Sequence, residues 1–159
     1  MSPRPELLVL AAELEAHVAR AEREVKSIEK LASEGAIDDR ALWALAGHLQ
    51  AFYTGCETVL SRVLATFDGL PVAGPDSHLR LLQQSTLDVP TVRPPILSPE
   101  TADALHSYRA FRHFFRHAYG VDLIWAKMAS KVENAGVVFT RFQADVRRFL
   151  NFLQTAAES

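Results

Sequence analysis

The sequence is poor in several features that would direct its chemistry elsewhere. It holds one cysteine, Cys56, in 159 residues, so no disulfide can close within the chain and no thiolate zinc site can be assembled. That usage fits a reducing, cytoplasmic setting. Cys56 sits among apolar residues at helical spacing and reads as a small core side chain. No apolar run approaches the roughly 18 residues that span a bilayer, so no membrane partner is expected. The start, Met-Ser-Pro-Arg-Pro-Glu, lacks the apolar run and small-residue cleavage site of a signal peptide. No glycine-rich phosphate loop, internal repeat, low-complexity tract, hairpin turn or strand alternation is present. Seventeen Lys and Arg face nineteen Asp and Glu, a formal net charge of −2. Generalised nucleic-acid binding through a basic surface is thereby excluded, and any anion site must be a local patch.

Helical periodicity fills the remainder. Residues 5–34 carry Leu7, Ala11, Leu14, Val18, Ala21, Val25, Ile28 and Ala32 in steps of four and three, an a/d seam, with Gly35 as its C-terminal stop. Asp38 or Asp39 caps a second helix reaching Phe67, through Leu42, Leu45, Leu49, Phe52, Cys56, Val59 and Val63. Asp68-Gly69-Leu70-Pro71 ends it. Residues 69–99 hold six of the eight prolines and read as a long crossover, with a short helix at 76–84 and an extended stretch from Val89-Pro90 to Arg93-Pro94-Pro95. Ser98-Pro99-Glu100 is a helix start with N-cap, N1 proline and first-turn acid. That helix runs to Tyr119-Gly120. Asp122 starts another, Asn134-Ala135-Gly136 breaks it near Glu133, and a last helix covers 137–156 with Val138, Phe142, Val146, Phe149, Leu150 and Leu153 inward. The expected fold is a single all-α domain, 1–159, an up-down bundle of four to five helices.

The most informative stretch is Arg109 to Tyr119. It contains three arginines, two histidines, three phenylalanines and a tyrosine, and no acid. On a helix, Arg109, Arg112, His113, Arg116 and His117 form one stripe. Phe111, Phe114, Phe115 and Ala118 form the opposite one. Crowding like charges on one face costs stability, which points to an anionic partner. His106, His113 and His117 share one edge of the basic face, and Arg112 and Tyr119 lie on the other. Three readings stand. His113 and His117 have the i, i+4 spacing of a metal chelate, but no carboxylate or thiolate accompanies them and arginines flank both, so no metal and no cofactor is expected. A solvated or interface face over an ordinary Phe core is the second. Phosphodiester chemistry is the third: a histidine acts as acid or base near neutrality, and an arginine fork holds the phosphate and its transition-state charge. In RNA the 2′-OH is a built-in nucleophile, so this pair suffices without a metal. Arg112 and His117 project about 140° apart on a helix and would converge better in the cleft of a two-fold homodimer.

Arg112-His113-Phe114-Phe115-Arg116-His117-Ala118-Tyr119 reads R-x4-H-x-Y. With Tyr53-Thr54-Gly55-Cys56-Glu57, Asp68-Gly69-Leu70-Pro71, His78-Leu79-Arg80-Leu81-Leu82 and Arg93-Pro94, it resembles the HepT-like ribonuclease toxins of the HEPN superfamily over roughly residues 45–155. The resemblance implies a HEPN-type bundle acting as a homodimer and metal-independent endoribonuclease cleavage of RNA. Arg112 and His117 would be catalytic, and His113, Arg109 and Arg116 would support them or bind RNA. It also implies a minimal nucleotidyltransferase (MNT) antitoxin as partner, able to transfer AMP to Tyr119. That modification would place bulk and phosphate charge beside Arg112. Glu57 and His78 receive no role in this set. HEPN relatives include scaffolds, so the alternative is a non-catalytic helical adaptor or substrate-binding partner of a nucleotidyltransferase.

Overall fold

A computed structural model of the chain describes residues 3–69, 74, 76–117, 123 and 125–159, with the backbone alone described for 114–117. It contains α1 (Pro5–Ser33), α2 (Asp39–Phe67), α3 (Ser77–Ser85), α4 (Pro99–His117) and α5 (Trp125–Ala157). No strand occurs among the described residues; an isolated bridge joins Val89 and Arg93.

The first two helices follow from their periodicity and caps. α1 buries Leu7, Leu10, Leu14, Val18, Ala21, Val25 and Ile28, whereas Ala11 lies at the edge of the seam and Ala32 is exposed. Gly35 follows it at φ +110°, a left-handed conformation that favours glycine. The Asp38 carboxylate caps α2 by accepting from the Ala41 N–H at 2.8 Å. α2 packs against every other helix, and Phe52, Tyr53, Cys56, Val59, Leu60 and Val63 have no solvent exposure. Burial pushes the Cys56 thiol well above its usual range, so it is an inert core group.

Long-range contacts give the helix directions. Arg62 of α2 reaches Glu13 of α1, and His48 reaches Glu24, so α1 and α2 run antiparallel. The Arg4 N–H donates to the Ala157 carbonyl, tying the start of α1 to the end of α5. α4 and α5 also run antiparallel, held at two levels. Near the first, Asp145 of α5 accepts from the backbone N–H and hydroxyl of Ser98, whose Oγ in turn accepts from the Thr101 N–H. At the second, the Tyr108 hydroxyl donates to the Lys131 carbonyl at 2.7 Å. The Ser98-Pro99 start is thus a true cap, strengthened by a carboxylate from another helix.

Two expectations are corrected. α5 is continuous from Trp125 to Ala157, with no break at Asn134-Ala135-Gly136; Asp122, the expected cap, lies outside the described residues. Met128, Val132, Ala135, Val138, Phe139 and Phe142 all face inward. Burial of that stripe outweighs the helix penalty of about 1 kcal/mol for a glycine. The stretch from Val89 to Pro95 is not extended throughout. Pro90, Thr91 and Val92 form a tight turn in which Val89 and Arg93 exchange backbone hydrogen bonds of 2.9 Å. Proline fixes its own φ and restricts the residue before it, which leaves Thr91 and Val92 free to turn. Thr91 adopts φ +66°, a strained value for a β-branched residue.

The turn delivers Arg93 into the interior. Its side chain is wholly buried, and all five of its N–H donors find acceptors. Nε and Nη2 fork onto the two Asp68 carboxylate oxygens at 2.6 and 2.7 Å; Nη2 also meets the Gln84 carbonyl, and Nη1 those of Leu87 and Pro94. Hydrogen bonds from Arg93, joined by the Gln84 amide, hold the Asp68 carboxyl below the usual carboxylate range against the opposing effect of burial.

Two stability predictions follow from these features. Asp68→Ala strands a buried guanidinium and should cost about 3–5 kcal/mol near neutral pH. Because the folded carboxyl titrates below its unfolded value of about 3.9, the pair's contribution is complete above that pH and is lost as pH falls through the folded pKa. Denaturant melts of both proteins across pH 7 to 2.5 should therefore converge at the acid end. A gap that stays constant would show that the carboxylate charge is not the source. Gly136→Ala should raise stability by about 0.5–1 kcal/mol. The nearest atom to the new Cβ is the Glu29 Oε1 at 3.2 Å, at the tip of an exposed side chain that can rotate away. A lowered melting temperature would refute this.

Candidate functional site

The second half of α4 is set into the bundle by Leu105, Tyr108 and Phe111, all buried. Tyr108 stacks edge-on against Phe52 of α2, ring centroids 5.4 Å apart. With those three inward, the helical wheel places Arg112 on the inner side of the helix as well. Its side chain is 12% exposed and faces α2 and α3. Arg112 therefore does not share a solvent-facing stripe with His113, which is exposed. Arg109 is partly buried, and its Nε donates to His106 Nδ1 at 3.4 Å. Phe111 of the apolar stripe is buried as expected. The side chains of Phe114, Phe115, Arg116 and His117 lie outside the described residues, as does all of Tyr119; the backbone through His117 is helical.

Two residues without a role in the sequence reading meet Arg112. His78, one residue into α3, offers Nε2 to Arg112 Nη1 at 3.3 Å, and its Nδ1 lies 2.7 Å from Glu57 Oε2 of α2. The other Glu57 oxygen stands 4.0 Å from Arg112 Nη1. Three helices thus contribute one side chain each to a Glu57–His78–Arg112 chain. Arg93 and Asp68 place α3 for this purpose, since their clamp ties the end of α2 to the crossover that follows α3. The His78 ring is 40% exposed, while Glu57 is 13% exposed.

The chemistry of the partners fixes the tautomer of His78. Arginine only donates and an ionised carboxylate only accepts. Nε2 must then carry the lone pair, and Nδ1 must carry the proton that Glu57 accepts. Two buried polar atoms in the same cluster, Arg112 Nε and the Tyr53 hydroxyl, have no hydrogen-bond partner among the described residues. Burial, and next the Glu57 carboxylate, push the Tyr53 hydroxyl well above its ordinary pKa, with Arg109 and Arg112 acting the other way. An unmet buried donor on a guanidinium costs about 1–3 kcal/mol and calls for an explanation.

A sequence signal for Glu57 exists. It follows Tyr53 by four residues, so it shares the inner edge of α2 with a side chain that has no solvent exposure. A carboxylate at such a position requires a partner. Nothing local identifies His78 as that partner; the contact spans 21 residues.

The family model described as HepT-like protein matches residues 44–153. The chain belongs to the HepT-like family, within the HEPN superfamily, and its helical bundle is of the HEPN type. The match begins inside α2 and ends inside α5, so it contains Glu57, His78 and the R-x4-H-x-Y segment and leaves α1 outside. HepT-like proteins are generally ribonuclease toxins. No curated protein and no solved structure gives a significant match.

The tautomer is directly measurable. Long-range 1H–15N spectra of His78 near neutral pH should show Nδ1 protonated and Nε2 bare, and Glu57→Gln should disturb that state. An Nε2–H signal in the wild type would contradict the hydrogen-bond chain described above.

Proposed function

We propose that this protein is a metal-independent endoribonuclease toxin of a HEPN/MNT toxin–antitoxin pair. The observation that carries the reading is Arg112: a guanidinium whose Nε has no partner among the described residues, braced by His78 and Glu57, on the R-x4-H helix of a HepT-like chain. Arg112 holds the scissile phosphate and stabilises its added negative charge. His117 transfers a proton, and the RNA 2′-OH is the nucleophile. His113, Arg109 and Arg116 grip the adjoining backbone. Two copies of the chain pair with their α4 helices facing, which lets each copy's motif act within a shared cleft. The MNT antitoxin silences the toxin by transferring AMP to Tyr119, whose phosphate competes with RNA for Arg112.

The second reading, a non-catalytic adaptor for a nucleotidyltransferase, draws on the low exposure of Arg112, which is also what an arginine serving only the fold would show. Expression decides between them. Inducing the wild-type chain alone should arrest growth and fragment cellular RNA. Arg112→Ala and His117→Ala should each reduce cleavage by purified protein about 100-fold or more while remaining folded. RNA left intact by folded wild-type protein, or cut equally well by the double mutant, would favour the adaptor.

A further inference from the structure

Cleavage by a 2′-OH needs two proton movements, one off the nucleophile and one onto the leaving 5′-oxygen. Within one copy of the chain the R-x4-H segment offers His113 and His117, and the reading above gives proton transfer to His117 alone. We propose that His78 is the second proton-transfer group of this site, the general base that Glu57 orients, leaving His117 to act as the acid. The inference rests on the ribonuclease reading above and deepens it.

The geometry meets three requirements of a base. Glu57 accepts the Nδ1 proton at 2.7 Å, which leaves the Nε2 lone pair directed at Arg112 and stabilises the imidazolium formed when it accepts a proton. The ring is 40% exposed, so a solute can reach it. Nε2 lies 3.3 Å from Arg112 Nη1, one hydrogen bond from the group that holds the phosphate, and the attacking 2′-OH is on the ribose adjoining that phosphate. In the free protein Arg112 occupies the lone pair. A phosphate oxygen is the stronger acceptor for a guanidinium, and drawing Nη1 to it opens Nε2. The 2′-OH then gives its proton to His78 Nε2 as its oxygen bonds to phosphorus. The bond from phosphorus to the 5′-oxygen breaks, and that oxygen takes a proton from His117. The products are a 2′,3′-cyclic phosphate end and a 5′-hydroxyl end, and one proton enters as one leaves. His48 and Glu24 provide an internal contrast: the same Nδ1–carboxylate pairing, at 2.6 Å, between α1 and α2 and on no arginine of the motif.

The test uses the purified full chain with total tRNA and a mixed-sequence RNA 20-mer, comparing wild type with His78→Gln, His78→Ala and His48→Gln. Gln at 78 retains an acceptor for Arg112 but no base. Both substitutions at 78 should lower kcat about 100-fold or more with KM changed only a few-fold, and His48→Gln should cleave as wild type. Added imidazole should restore cleavage to His78→Ala, because the vacated position is open to solvent. Retained cleavage by His78→Gln would reduce His78 to a brace for Arg112 and overturn the proposal. So would a loss in His78→Ala that imidazole leaves unchanged. Wild-type protein that spares both RNAs would instead overturn the ribonuclease reading itself, and this inference with it.

Discussion

A guanidinium cut off from water tolerates few arrangements, because each of its five N–H groups must find an acceptor. Arg93 meets that condition with a carboxylate at the end of α2 and three carbonyls of the crossover. The consequence is positional. Asp68 is the C-terminal cap of α2, Gln84 belongs to α3, and Leu87 and Pro94 lie between α3 and α4. One side chain therefore fixes how α3 sits on α2 and where the chain must be when α4 begins. The strained Thr91 turn is held by the same bonds that depend on it.

The placement of α4 continues that logic. Its start is anchored to α5 through Ser98 and Asp145, its middle through Tyr108 and Lys131. Its inner face rests on Phe52 of α2. With both ends of the interface specified, the rotation of α4 about its own axis is settled, and Arg112 is carried inward to the point where Glu57 and His78 arrive from two other helices. The cluster is thus built on helices rather than on loops, a support that holds side chains in fixed relative positions.

Much of this architecture was legible in the residues. The a/d seam of α1, a cap at Asp38 or Asp39, a short helix at about 76–84 and the Ser98-Pro99-Glu100 start depend on neighbours within one or two turns, and local periodicity reports such neighbours. The misreadings share a physical cause. Asn134-Ala135-Gly136 looks like a break because glycine and asparagine are poor helix formers, yet tertiary packing of Val132, Ala135, Val138 and Phe139 carries the helix through. Arg112 was grouped with the exposed stripe because periodicity orders residues around a helix without saying which sector faces the core. Leu105 and Tyr108 settle that orientation, and their burial is a property of the assembled bundle. His78 could not be connected to Glu57 or Arg112 from spacing at all, since those contacts cross 21 and 34 residues.

Arg93 and Arg112 both approach a carboxylate with their side chains largely buried, and their donor inventories differ. Arg93 is forked onto Asp68 with every N–H satisfied, so it has nothing left to offer a ligand. Arg112 keeps its carboxylate at 4.0 Å, with an imidazole between, and its Nε is unmet among the described residues. A direct bidentate pair with Glu57 would have been tighter, and for that reason a poorer anion site, since an incoming phosphate would have to displace a carboxylate of similar basicity and geometry. With His78 interposed, the nearest partner of the guanidinium is an imidazole nitrogen rather than a carboxylate oxygen. The carboxylate still orients the ring, but its charge no longer fills the fork.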